Sequence, residues 1–277
     1  MPTLYPSYFI TGASSGIGKA LAIELATRAS RRGTDIALVL VARRQSELEK
    51  TRDLIAAVNP AAKVHVHVLD INAPYETLLA AIEDSAVALG GVLLHCFVVN
   101  AGIAAPPRAV GSKTGSDLDR NVLMTNLVAT TSMMDAAVHY IHAHKVNETK
   151  EQAHIVGVSS LAGSVPTPFQ ATYSASKAGL DMYLKTLSVE THGSGIHVTN
   201  IRPGFIDTPI NEAMGDNRPF VIHVSKGASI VADRISSRAS APIVPRFPWA
   251  IVPWLVSLTP NWVMLKSAKS ILPAASA

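Results

Sequence analysis

Short apolar runs alternate with longer stretches of helical pattern along most of the chain, and this alternation restricts the fold more than any other feature. Runs rich in Val, Ile and Leu are typical of parallel strands that are covered on both faces. We predict strands at Tyr8–Thr11, Ile36–Ala42, Val64–Leu69, Leu93–Val99, His154–Ser159 and Ile196–Ile201. We predict helices at Ser46–Val58, Tyr75–Leu89, Leu118–His144, Thr172–Glu190 and Ser225–Arg238, and another in which Ile17, Leu21 and Leu25 form a buried stripe. This order favours an α/β domain with a doubly wound parallel sheet and helices on both faces.

Composition and charge exclude several classes of protein. The chain is 48% hydrophobic and 16% charged, which is typical of a globular protein and not of a disordered one. Its formal charge of +4 includes no long basic run, so we expect no nucleic-acid partner. The single cysteine, Cys96, excludes an intrachain disulfide. We find no signal peptide, no membrane-spanning stretch and no metal motif, so we expect a cytoplasmic protein without a metal ion.

A glycine-rich turn joins the first predicted strand to the first predicted helix. It reads Thr11-Gly12-Ala13-Ser14-Ser15-Gly16-Ile17-Gly18. Glycines here allow a tight turn, close approach of the backbone to a phosphate, and close packing of the helix on the strand. The free N–H groups at the start of a helix also attract an anion. The segment therefore predicts a nucleotide-phosphate site, and a plain strand-to-helix turn is the alternative for an isolated match.

A second pattern combines Ser160 with Tyr173 and Lys177. Tyr173 and Lys177 are four residues apart on a predicted helix, so their side chains share one face. Ser160 lies thirteen residues before Tyr173, at the end of an apolar strand. Asn126 lies within the preceding long helix, where asparagine is mildly unfavourable, and this favours a functional role for it.

These motifs occur in an order that resembles the classical short-chain dehydrogenase/reductase family over roughly residues 7–210. Asn100-Ala101-Gly102 after the fourth strand and Pro203-Gly204 after the sixth complete the resemblance. It implies a Rossmann-type fold, a nicotinamide cofactor and oxidoreductase activity on carbonyl or alcohol groups. We divide the chain into a dinucleotide-binding and catalytic domain at residues 1–240 and an apolar C-terminal extension of the same domain at residues 241–277.

The cofactor that we expect is NADP(H). The second strand ends in Arg43 and Arg44, where an NAD site has an acidic residue for the ribose hydroxyls. Guanidinium groups suit a 2′-phosphate, and the resemblance assigns Arg43 to it, assisted by Ser14 and Ser15. Two solvated arginines at a helix start are the alternative. The resemblance implies a cofactor-binding set of Gly12, Ser14, Ser15, Gly16, Ile17, Gly18, Arg43, Asp70, Ile71, Asn100, Ala101, Gly102, Tyr173, Lys177, Pro203, Gly204, Ile206 and Thr208.

The resemblance also implies a mechanism with Tyr173 as general acid/base. Ser160 would give the substrate oxygen a second hydrogen bond, and Asn126 would hold a water that connects Lys177 to solvent. A free tyrosine has a pKa of about 10, and we expect the Lys177 ammonium to lower it. A catalytically silent NADP-binding sensor or scaffold of the same fold is the alternative function. The presence of all four residues favours the enzyme.

The extension contains the apolar segment Phe247–Leu258, and Trp262 follows it. Pro248 and Pro253 argue against one long helix there. We expect the extension to pack near the substrate entrance or against a second copy in a homodimer or homotetramer, because an exposed apolar patch is rare in monomers. Contact with a membrane surface is the less favoured alternative. The partner is a small carbonyl or alcohol compound, which could be hydrophobic and which the sequence does not identify.

Overall fold

A parallel β-sheet forms the centre of the protein. The structure is a computed structural model that describes residues 5–112, 116–214 and 218–271. The strands are β1 (Ser7–Thr11), β2 (Ala37–Ala42), β3 (Lys63–Val68), β4 (Cys96–Val99), β5 (Ala153–Val158), β6 (Ile196–Pro203) and β7 (Ile243–Val244). Within the described ranges they form one sheet in the order β3-β2-β1-β4-β5-β6-β7, and each neighbouring pair is parallel. The doubly wound Rossmann-type sheet is thus confirmed.

Helices cover both faces of this sheet. The α-helices are α1 (Gly16–Arg32), α2 (Gln45–Val58), α3 (Tyr75–Ala88), α4 (Ser116–Leu123), α5 (Thr130–Ala143), α6 (Ala171–Glu190), α7 (Val224–Ser236), α8 (Val252–Ser257) and α9 (Asn261–Ile271). Helices α1, α2 and α7 bury their apolar residues against one face, and α3, α5 and α6 against the other.

The core lies on both sides of the sheet because successive strand residues point to opposite faces. In β1, Tyr8 and Ile10 contact the cluster that includes Leu21 and Leu25 of α1. Phe9 between them contacts the cluster on the other face. All five residues are fully buried. A central strand covered on both sides must therefore be apolar at every position, which explains the continuous runs in the sequence. Ile17, the first member of the predicted stripe, is only half-buried.

Of the six predicted strands, β4 departs most from the prediction in its bounds and β3 in its burial. Strand β4 begins at Cys96, three residues after the predicted start at Leu93. The Leu94 N–H donates to the Tyr140 hydroxyl, and the Leu93 carbonyl accepts from the Ser7 hydroxyl at 2.6 Å, so this segment bonds to side chains outside the ladder. Strand β3 is half-exposed, because it lies at the edge of the sheet.

The predicted helix at Leu118–His144 is interrupted. A π-helical turn at Met124–Ala129 separates α4 from α5. Such turns insert one extra residue per turn, and they occur often at functional sites. Here the turn contains Asn126, which is fully buried. The sequence therefore predicted the helix but not the π-helical turn within it.

The C-terminal extension contributes to the sheet. Strand β7 pairs with the end of β6, through Arg202 opposite Ile243 and Pro203 opposite Val244. Trp249 follows and is buried, in edge-to-face contact with Phe205 and Phe220. The first part of the extension therefore belongs to the same sheet as the preceding strands. Residues 272–277 of the predicted extension lie outside the described residues.

Candidate active site

The glycine turn after β1 is held tightly against its neighbours. Gly12 and Gly16 have φ values of 69° and 54°, a region that glycine enters at little cost. A Cβ atom added at Gly18 would lie 2.5 Å from the Gly12 carbonyl oxygen. Asn100, after β4, fixes the turn from the side, because its side chain donates to the Thr11 carbonyl at 3.0 Å. The Gly12, Gly16 and Gly18 positions therefore require glycine for conformation or space.

The start of α1 suits an anion. Its first turn contains no acidic residue, and the side chain of Ser15 at the N-cap makes no capping hydrogen bond. The N–H groups of a first helical turn have no partners within the helix, and the helix dipole favours negative charge there. The free N–H groups at the start of α1 thus suit the phosphates of a dinucleotide, the ligand that the family resemblance implies.

Two adjacent arginines follow β2 and point to different partners. Arg44 donates to the hydroxyl oxygens of Ser14 and Ser15 at 3.1 and 3.0 Å. Arg43 lies 3.7 Å from the Asp70 carboxylate at the end of β3. Burial acts to raise the pKa of Asp70, but hydrogen bonds from Asn72 and the charge of Arg43 outweigh it, so the pKa is lowered. Arg44 is therefore the arginine in contact with the glycine turn, a residue that our predicted set did not include.

Tyr173 and Lys177 project from the first half of α6 toward the carboxyl end of β5. Lys177 is buried, and its Nζ atom donates to the Val158 carbonyl at 3.0 Å. The same Nζ atom lies 5.8 Å from the centre of the Tyr173 ring. Burial lowers the pKa of Lys177 to about 8, and the negative charge of Asp181 acts in the opposite direction. Burial thus brings the pKa of Lys177 closer to neutral pH.

The pKa of Tyr173 differs from our expectation. Burial raises the pKa of Tyr173, and a hydrogen bond with Ser160 offsets only part of the effect. The predicted lowering by Lys177 is wrong for this arrangement, because the ammonium is directed at the Val158 carbonyl and not at the phenol. Ser160 itself caps the 3₁₀ turn Leu161–Gly163, where its hydroxyl accepts from the Ala162 N–H. The side chains of Ser160 and Tyr173, which the sequence predicted as parts of one site, are thus in contact.

Asn126 lies behind this pair, inside the π-helical turn. Its side-chain oxygen accepts from the Ile103 N–H at 2.8 Å, and its side-chain nitrogen donates to the Ile103 carbonyl at 2.8 Å. The same nitrogen also lies 3.3 Å from the Ser176 hydroxyl. The amide therefore fixes the segment after Asn100-Ala101-Gly102 next to α6. The structure places Asn126 as a brace between the two predicted motifs.

The turn after β6 closes the far side of the site. Ile206 is buried, and the Thr208 hydroxyl donates to its carbonyl at 3.2 Å. A Cβ atom added at Gly204 would lie 2.6 Å from Nε1 of Trp249, so the extension packs directly on this turn. Sequence reasoning placed Trp249 in an apolar segment but not in the site, because no motif connects it with Gly204.

A cavity of about 460 Å³ joins these elements at the carboxyl ends of the strands. It lies beside β1 and β4, where the strand order reverses, as ligand sites do in this type of sheet. Most predicted site residues line it; Gly18 and Asn126 instead lie behind its wall. The predicted residues that line it are Gly12, Ser14, Ser15, Gly16, Ile17, Arg43, Asp70, Ile71, Asn100, Ala101, Gly102, Ser160, Tyr173, Lys177, Pro203, Gly204, Ile206 and Thr208. Residues that the prediction lacked include Arg44, Ile103, Phe205, Trp249 and Val252.

Among the residues that the structure describes, no group of three His, Cys, Asp or Glu side chains is placed to hold a metal ion. In those same ranges, every helix is too short or too polar to cross a bilayer.

Comparison with known proteins agrees with this geometry. An uncharacterized oxidoreductase of Myxococcus xanthus is 29% identical over 93% of this chain and 94% of its own length. The 11-beta-hydroxysteroid dehydrogenase 1A of Arabidopsis thaliana is 31% identical over 73% of this chain and 53% of its own length. The crystal structure of a short chain dehydrogenase from Mycobacterium paratuberculosis bound to NAD has a TM-score of 0.69 and 26% identity, covering 86% of this chain and 95% of that one. The short chain dehydrogenase family model matches residues 7–219, so the chain belongs to this family of oxidoreductases.

Proposed function

We propose that this protein is an NADP(H)-dependent oxidoreductase that transfers hydride between the nicotinamide and a carbonyl or alcohol substrate, with Tyr173 as general acid/base. One observation carries the proposal. Ser160, Tyr173 and Lys177 share the wall of a cavity whose other side is the glycine turn after β1. A donor set for phosphates and a proton donor thus face the same space, as a dinucleotide-dependent reaction requires.

Each of these side chains has a separate role in carbonyl reduction. Bound NADPH supplies the hydride. Tyr173 donates a hydrogen bond and then its proton to the substrate oxygen, and burial, which raises the pKa of Tyr173, favours the protonated phenol that this step uses. Ser160 contributes a second hydrogen bond to the same oxygen, which stabilises the negative charge that develops there. Asn126 keeps the segment at Ile103 in place beside α6.

Lys177 has two roles in this proposal. Its position within 5.8 Å of the Tyr173 ring and beside Gly102 suits contact with the cofactor ribose. Its pKa of about 8 also allows it to take up and release a proton near neutral pH, so it can resupply Tyr173. In the oxidation direction the same residues act in reverse, with the phenolate accepting the alcohol proton.

The preference for NADP(H) rests on the two arginines after β2. No acidic residue ends β2, and Arg43 and Arg44 both line the cavity. Ser14 and Ser15 hold the Arg44 guanidinium beside the glycine turn, which is a fork of donors suited to a 2′-phosphate. We infer that Arg43 and Arg44 share this phosphate. The NAD-bound relative shows that an NAD preference is the competing outcome.

The test of the chemistry is Tyr173→Phe, measured on a panel of aldehydes and ketones with NADPH. We expect kcat to fall by about 100-fold or more, since positioned acid–base catalysis is worth roughly that much. NADPH binding, followed by fluorescence, should persist because the ring is retained. Near-normal turnover in this variant would contradict the mechanism. NADPH binding without turnover of any compound by the parent protein would favour the sensor or scaffold.

The test of the cofactor preference compares kcat/KM for NADPH and NADH in the parent, in Arg43→Asp and in Arg44→Asp. We expect the parent to prefer NADPH and each variant to shift toward NADH. Lys63→Asp, an exposed change of the same charge at the start of β3, is the control. Equal efficiency with both cofactors in the parent would contradict the assignment.

We also propose that the enzyme is a homodimer or homotetramer. Met182 and Val189 are seven residues apart on α6, which places them on one helical face, and both are exposed. A second copy would cover this apolar face. Sedimentation equilibrium of the parent and of Met182→Glu tests the state. A monomeric parent would contradict the proposal.

A further inference from the structure

The C-terminal helices carry apolar side chains that no described residue covers. Around α8, Ile251, Trp254, Leu255 and Leu258 are exposed, and the exposed fractions of Trp254 and Leu258 are 65% and 66%. Their spacing of three and four residues places them on one side of the helix. Val252, next to Ile251, is half-buried and lines the cavity. Helix α8 therefore contributes both to the cavity wall and to an exposed apolar surface.

Helix α9 repeats the pattern with charge added. Trp262 is 69% exposed and Leu265 is 45% exposed. Lys266 and Lys269, both exposed, are each four residues beyond one of these apolar residues, so all four side chains share one face. Ala268, on the other side of the helix, is buried. The face toward solvent thus combines a tryptophan, a leucine and two lysines.

The charged side chains of the extension all have one sign. No Asp or Glu follows Asp233 in the sequence, whereas Arg246, Lys266 and Lys269 all lie in the extension. An amphipathic surface of tryptophan and aliphatic residues flanked by lysines is the composition of helices that lie in the membrane interface. In helices of that kind, the tryptophan rings lie at the level of the lipid headgroups and the lysines contact anionic lipid.

We propose that this surface docks on an anionic lipid bilayer. We define it as the C-terminal apolar face, made of Ile251, Trp254, Leu255, Leu258, Trp262 and Leu265. The protein lies on the bilayer, because no described helix is able to span it. Docking in this way places Val252, and the cavity that it lines, next to the lipid surface.

A second copy of the chain fits this face less well. A twofold interface brings the same patch of both subunits together. The interface would then contain Lys266 and Lys269 of both copies, and the described part of the extension supplies no carboxylate to compensate. An anionic bilayer buries the apolar side chains and also attracts the lysines, so the C-terminal apolar face suits a bilayer better than a second copy.

Flotation of the full chain with vesicles tests the proposal. We expect binding to vesicles that contain phosphatidylglycerol and much weaker binding to phosphatidylcholine alone. Each basic residue near an anionic surface changes the partition coefficient by about fivefold, so Lys266→Glu with Lys269→Glu should lower it by about 20-fold or more. High salt should reduce binding of the parent. Trp254→Ser with Trp262→Ser should also lower the partition coefficient by more than about tenfold.

Matched variants separate this face from general effects of charge and folding. Lys63→Glu with Lys150→Glu makes the same charge change at two exposed positions elsewhere and should leave flotation intact. Circular dichroism and thermal melting verify that each variant folds. Three outcomes would overturn the proposal: a parent that does not float, equal loss in the Lys63 and Lys150 control, or a dimeric parent that the tryptophan variant converts to a monomer without any vesicle binding.

Discussion

Replacing Lys177 by Met should stabilise the protein relative to the parent at neutral pH while removing its activity. Lys177 is 4% exposed, and its pKa is lowered from 10.5 to about 8 because burial disfavours the ammonium. The folded state therefore bears the cost of a buried charge at pH 7. Methionine has a similar length and needs no hydration, so it removes that cost.

The magnitude follows from the two pKa values. The interval from 10.5 to about 8 corresponds to about 3 kcal/mol, since one pKa unit is worth about 1.4 kcal/mol. Methionine also leaves the Val158 carbonyl without the lysine hydrogen bond, which costs about 1–2 kcal/mol. The net stabilisation at pH 7 is thus about 1–2 kcal/mol.

The pH dependence is the sharper signature. Below pH 8, Lys177 is protonated in both states, and the cost of burial is fully present in the fold. Between pH 8 and 10.5 the unfolded chain binds more protons than the folded one, so the stability of the parent rises with pH. The advantage of Lys177→Met should therefore shrink by about 2–3 kcal/mol between pH 7 and pH 10.

Urea unfolding of parent and variant at pH 7 and pH 10, followed by circular dichroism, measures both quantities. Lys185→Met on the same helix is the matched control, because Lys185 is exposed and its replacement should give no such pH dependence. A Lys177→Met difference that is equal at the two pH values would refute the reasoning. So would a variant that becomes more favourable, relative to the parent, at pH 10.

Three further changes test the packing of the site. Gly18→Ala places a Cβ atom 2.5 Å from the Gly12 carbonyl oxygen, so urea unfolding should show a loss of about 1–3 kcal/mol and titration should show weaker NADPH binding. Asn126→Ala leaves both backbone groups of Ile103 without their partners; we expect a loss of about 2 kcal/mol and a lower kcat, and unchanged stability would contradict the bracing role. Trp249→Ala removes a buried ring from the cavity wall, so it should cost about 3 kcal/mol and change KM for the carbonyl substrate more than KM for NADPH.

The sequence predicted those parts of the fold that depend on repeated local patterns. Central strands such as β1 need an apolar residue at every position, and amphipathic helices repeat their buried residues every three or four positions. The glycine turn was predictable for a related reason, because only glycine tolerates the conformation of Gly12 and the space at Gly18. Each of these features is decided by residues close together in the sequence.

The parts that sequence analysis missed depend on contacts between distant residues. Strand β7 has two residues and exists because β6 offers it an edge. The start of β4 is set by Tyr140, far along the chain, which takes the Leu94 N–H. Arg43 and Arg44 are adjacent, so they point in different directions, and which one reaches Ser14 depends on how the chain leaves β2. No local pattern contains that information.

The direction of the Tyr173 pKa illustrates the same limit in electrostatics. A spacing of four residues on a helix indicates that Lys177 and Tyr173 share a face, and a nearby ammonium lowers the pKa of a phenol. Spacing does not give burial or the direction of the Nζ atom. In the folded protein Lys177 donates to the Val158 carbonyl, and burial is the largest influence on both groups.

The features that mark the site also work against the stability of the fold. Lys177 is a buried cation, and Asn126 lies in a π-helical turn that interrupts a long helix. A sequence selected for stability alone would favour an apolar residue at position 177 and a regular helix around position 126. Because these locally unfavourable features converge on one cavity, a structural role alone does not account for their clustering. Their convergence indicates chemistry at this site independently of any similarity to other proteins. If that is correct, the Lys177→Met variant should be more stable than the parent and inactive.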